Sequence, residues 1–192
     1  MKRILFISTL LLSLSTFAQS ERYQSAMQKN LALFDSVQNT EKAQALAASF
    51  ERIGDAEKTE WLPYYYAALA MLTPAWMDPK IDKDQNAVKV KALIDKGDAL
   101  AKSDADRSEL QTLRNMVATQ QMLVDPQSRY ATYGAESASA LKKAQELNPS
   151  NPRAFYLEGI GIFNTPEQFG GGKTKAKPVL ENGSHTQTQA KA

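Results

Sequence analysis

The chain has no cysteine and a single histidine, His185, among its 192 residues. Without thiols there are no disulfides, no thiolate metal sites and no cysteine nucleophile. A lone histidine in a polar stretch leaves no means of building the Ser–His or Cys–His pairs that activate a nucleophile. No run of β-branched residues alternates at period two, so almost no sheet is expected. Net charge is nearly lacking as well: Lys plus Arg number 23 against 21 Asp plus Glu, and removing Lys2 and Arg3 leaves 21 against 21. A neutral chain has no net field to gather nucleic acid or an anionic membrane surface.

What is present begins with an address. Lys2 and Arg3 precede an apolar stretch over residues 4–14, and Thr16-Phe17-Ala18 offers small residues where a signal peptidase reads. Residues 1–18 therefore read as a signal peptide cleaved before Gln19, and the periplasm is the expected destination. The stretch is too short, and too soon polar, to persist as a membrane span. Residues 19–181 are expected to form one helical domain. Residues 182–192 contain no apolar side chain larger than alanine and are expected to be a disordered polar tail.

Within the domain a helical unit recurs. Trp61, Leu110 and Phe155 each open a helical run, with spacings of 49 and 45 residues, and each run ends in a proline-containing loop at 73–80, 123–129 or 164–173. Helical periodicity places further helices at 20–38, at 40–56 with Thr40 as its cap, at 86–102 and at 135–147. Pro63 falls in the first turn of the run at 60–72, where its missing N–H costs little. The period predicts an all-α, right-handed stack of helix pairs with long inter-helix loops.

Ser137, Leu141, Ala144, Asn148-Pro149, Phe155 and Gly159 reproduce the spacing of the tetratricopeptide repeat (TPR). In its loops, the Asp-Pro pairs at 78–79 and 125–126 and the FGGGK run at 169–173, the chain resembles exported TPR-like proteins of Gram-negative bacteria. The resemblance spans about residues 40–180 and implies fold and compartment rather than an activity. It departs from the pattern at Glu158, where leucine is usual, and at Phe50, which stands where alanine is expected eleven residues before Trp61.

FGGGKT at 169–174 lacks the first glycine of a phosphate loop, since Glu167 holds that position, and no strand precedes it. It reads instead as a loop with positive φ ahead of a helix near Lys173. The run from Asp82 to Asn86 resembles half a calcium loop, but the required glycine is Ala87 and the bidentate glutamate is Leu93. No pair of acids stands in an apolar context that would raise a pKa. No catalytic residue, cofactor or metal is expected.

The leading expectation is a non-enzymatic module that binds a protein or peptide segment in a concave helical groove. Tyr66, Gln111, Asn115, Arg153, Tyr156 and Asn164 are its candidate contacts, because amides offer both donors and acceptors to a peptide backbone. Tyr64 and Tyr65 are expected in the core. The alternative is a small-molecule or solute-binding accessory protein, whose pocket would be formed by aromatic residues and the long loops, with Tyr66, Trp76 and Phe169 on its wall.

Overall fold

The computed structural model describes residues 21–34, 37 and 39–189, with side chains described as far as Gly183. The expected signal peptide lies outside the described residues. Helix α1 covers 21–34, followed by α2 (Thr40–Glu57), α3 (Leu62–Ala75), α4 (Lys83–Asp98) and α5 (Asp104–Met122). A short α6 (Pro126–Arg129) and a π-helical turn (Tyr130–Gly134) lead into α7 (Ala135–Leu147). Then come α8 (Pro152–Asn164), a 3-10 turn (Glu167–Phe169) and α9 (Lys173–Gln189). The described residues contain no strand, and none of their helices is long and apolar enough to cross a membrane.

Polar residues fix the helix starts by accepting otherwise orphaned N–H groups. Asp82 accepts from the amides of Asp84 and Gln85, both at 3.0 Å. Ser103 and Asp106 form a reciprocal capping box at the start of α5. For α2 the cap is Asn39, which accepts from the Lys42 amide at 2.9 Å. Thr40, the expected cap, is the first helical residue instead, and its hydroxyl donates to Asp78 Oδ2 at 2.7 Å. That bond ties the start of α2 to the loop after α3.

Consecutive helices pack as antiparallel neighbours: α2 on α3, α3 on α4, α4 on α5, α5 on α7, and α8 on α9. Phe50, Leu72, Val90, Ile94, Leu110, Leu113 and Val117 are fully buried between them. Tyr64 and Tyr65 lie in this core, as the sequence predicts. Small residues let the helices approach. A Cβ at Gly54 would stand 2.7 Å from the ring of Tyr64, whose hydroxyl donates to Asp55 at 2.8 Å. Gly54→Val should therefore push α2 off α3, and calorimetry should show a stability loss of roughly 1–3 kcal/mol from overpacking.

A buried polar network locks the other half. Ser108 Oγ donates to the Ala144 carbonyl at 2.7 Å and accepts from Asn151 Nδ2 at 2.9 Å. Asn151 also caps α8 by accepting from the Arg153 amide at 2.9 Å. These bonds place the N-terminus of α8 beside that of α5, so the two helices run in the same direction.

The C-terminal segment differs from expectation. Helix α9 continues through Asn182 and Gly183 to Gln189, within the stretch expected to be a disordered tail. Gly183 is not a stop because it is a contact: a Cβ there would meet the Phe155 Cβ at 3.2 Å, so glycine lets α9 lie close on α8. Residues 190–192 lie outside the described residues.

Candidate functional site

The antiparallel order sends the loops after α3, α5 and α8 to one end of the stack. Hydrogen bonds confirm the juxtaposition of the first two: Gln120 Nε2 donates to the Leu72 carbonyl at 2.9 Å, and Gln121 Nε2 donates to Asp84 at 3.0 Å. This end carries large apolar side chains in water. Trp76 is 42% exposed, Met77 86%, Tyr130 69% and Phe169 74%, and Leu123 and Val124 are also exposed. Apolar side chains gathered at one end of a helical stack mark a binding surface more often than chance exposure does.

Between the α3–α4 loop and the end of α5 lies a pocket of about 630 Å³. Trp76, Pro79, Ile81, Leu123 and Val124 give it an apolar wall, and Lys80 and Lys83 bring positive charge to it. Its two acidic residues are engaged elsewhere. Asp82 caps α4, and Asp84 accepts from Gln121 and from Arg129 Nη1 at 2.9 Å. The volume falls within the range of small-molecule sites.

The segment after α5 is held rather than loose. Asp125 caps α6, Arg129 reaches both Asp84 and the Gln121 carbonyl, and Tyr133 lies beneath Lys91 and Arg129. The Gln121 amide, and then Arg129, hold the Asp84 carboxyl below its ordinary value of 3.8. A lowered folded-state pKa contributes stability that is present above 3.8 and is lost as pH falls through the folded value. Acidification below about pH 4 should thus free residues 125–134. Amide hydrogen exchange there should quicken in the wild type, and Asp84→Asn should remove the Asp84 share of that pH dependence, leaving the share of the Asp125 cap, whose carboxyl the Ser128 hydroxyl also holds low.

The FGGGK loop behaves as the sequence predicts. Gly170 and Gly172 have φ of 89° and 99°, and the Gly172 amide donates to the Ile162 carbonyl at 2.9 Å, closing the end of α8. Among the described residues no group of three or more histidine, aspartate or glutamate side chains gathers as a metal site.

The six residues assigned to the concave groove fall in different surroundings. Asn115 is buried, and its amide donates to the Ser137 carbonyl at 3.0 Å and to Ser137 Oγ at 2.8 Å. Its expected exposure is thereby corrected: α7 packs on that face of α5, and the amide is engaged in that joint. Tyr66 belongs to an aromatic cluster, stacked on Phe50 at 5.5 Å and edge-on to Tyr65 at 5.3 Å. Arg153 pairs with Glu109 and lies 5.8 Å from the ring centre of Tyr65. Gln111 is partly buried and Tyr156 is exposed. Asn164 sits at the other end of α8, where its amide donates back to the Ile160 carbonyl at 3.0 Å. Trp76, Phe169 and Tyr66 likewise do not share one pocket: Trp76 lines the pocket, Phe169 is on a neighbouring loop of the same end, and Tyr66 is in the cluster near α1.

No protein-family model matches the sequence, and no curated protein is similar to it. Among solved structures, the HusA haemophore from Porphyromonas gingivalis superposes with a TM-score of 0.78 at 38% sequence identity. The match covers 88% of this chain and 82% of that one. The chain belongs to the HusA family. Because the match takes in most of HusA, the likeness concerns the helical stack as a whole rather than one hairpin. HusA is named a haemophore. This turns attention from the concave face to the loop end. There the sequence reading named Trp76 and Phe169 on its long loops but did not single out Leu123, Val124 or Tyr130. The signal was present as large apolar residues inside otherwise polar, proline-marked loops that antiparallel stacking brings together.

Proposed function

We propose that this chain is a non-enzymatic, exported haem carrier that holds the tetrapyrrole at the loop end of a TPR-like stack. The observation that carries the reading is the exposed apolar wall of Trp76, Leu123 and Val124 around a pocket of about 630 Å³ with Lys80 and Lys83 on it. Haem is a flat apolar ring with two carboxylates on one edge. An indole offers it a stacking face, aliphatic side chains exclude water from the ring, and lysines meet the carboxylates. Similarity to the HusA haemophore supports the same choice. A peptide segment in the concave groove has less support, since Asn115 is engaged by Ser137.

The described lining of the pocket offers the ring an indole face, aliphatic side chains and lysine charge. The test is titration of the chain with haem and with metal-free protoporphyrin, followed by tryptophan quenching and the porphyrin absorbance band. Saturable binding of both, with affinities within about tenfold, is the expected result. No saturable change with either would overturn the reading.

A further inference from the structure

A second, larger concavity lies outside the loop pocket. Helices α1 and α2 flank a groove of about 1100 Å³, with buried Leu46 and half-buried Ile53 on its floor and Val37 also lining it. Arg22, Lys29, Lys42 and Arg52 rim it against a single acid, Glu57. All four basic residues are exposed, and among the described residues none of the four is ion-paired. Local charge here is strongly positive in a chain whose total is near neutral.

The shape of the groove narrows the occupants. Two helices with an apolar floor between them present the seat that a third helix fills in a helical stack. A planar membrane surface does not reach the floor of such a groove. A second copy placed across a two-fold axis would set this basic rim against itself, which like-charge repulsion opposes. A helix with apolar residues on one face and acids on its flanks meets both the floor and the rim. We propose that the α1–α2 groove docks an acidic amphipathic helix of a protein partner. The proposal is independent of the haem reading, because the groove and the loop pocket share no residue.

The probe is a labelled synthetic helical peptide with leucines at helical spacing flanked by glutamates, alongside a sister peptide with lysines in place of the glutamates. Fluorescence anisotropy is measured against the full chain and against Lys29→Glu/Arg52→Glu, whose sites are exposed and whose helicity circular dichroism checks. The expected result is binding of the acidic peptide alone, weakened by added salt and by about tenfold or more in the variant. Absent binding, equal binding of the two peptides, or equal affinity of the variant would overturn it. So would self-association in sedimentation that the charge reversal abolishes, since the groove would then seat a second copy. A haem titration of the same variant separates the two readings. Unchanged haem affinity with lost peptide binding supports the proposal; lost haem with peptide binding retained would overturn it and the loop-end assignment together.

Discussion

Trp76→Ala combined with Leu123→Ala is expected to weaken haem binding by roughly 2–4 kcal/mol, or about 30- to 700-fold in Kd. The size follows from what each side chain does. Trp76 is 42% exposed, so its indole carries apolar surface in water that a bound ring would cover. Leu123 stands on the same pocket wall from the end of α5. Neither is in the fully buried core, so the double variant should melt within about 2 °C of the wild type. Lys80→Ala with Lys83→Ala should cost less, about tenfold, and the loss should shrink at high salt because it is a charge effect. Titrating haem against these variants orders the contributions. An aromatic double variant that binds like the wild type would move the haem site away from the loop end.

Much of the scaffold was legible because its signals are local. Apolar residues at helical spacing, Pro63 in the first turn of α3, and Asp and Ser residues before acidic first turns each report on a few neighbouring residues. The fates of Asn115 and Gly183 were set by distant chain segments. Asn115 has the spacing of an exposed face on α5, yet α7 covers it and Ser137 takes its amide. Gly183 has the sequence appearance of a helix stop, but packing against Phe155 makes glycine the residue that lets α9 continue. The candidate site was only partly legible for the same reason. Residues 76, 123 and 169 become one end of the molecule through antiparallel topology, not through any motif they share. Charge was misleading at the level of the whole chain, because a neutral total conceals the basic rim between α1 and α2.

Phe50→Ala is expected to have the largest effect on stability, about 3–5 kcal/mol. In the repeat pattern this position should be alanine, and the structure gives the reason it is not. Phe50 is completely buried, stacked on Tyr66 at 5.5 Å and tilted against Phe34 at 6.4 Å, so it fills the joint where α1, α2 and α3 meet. An alanine suits a second helix pressed directly on its partner, whereas here the joint with Phe34 and Tyr66 holds a ring. Truncation leaves a cavity whose lining, including Tyr65 and Tyr66, sits on helices fixed by other contacts and cannot close around it. For a chain of this length the melting temperature should fall by roughly 6–20 °C. The loss should be felt first in α1, because Phe34 loses one of its two aromatic partners there. Amide exchange in residues 21–34 should quicken more than in α5 or α7, and the acidic-peptide groove should be lost with it. Haem affinity at the loop pocket should stay within about threefold at temperatures well below the melting point. Phe50→Leu, which refills most of the volume, should recover more than half of the stability lost.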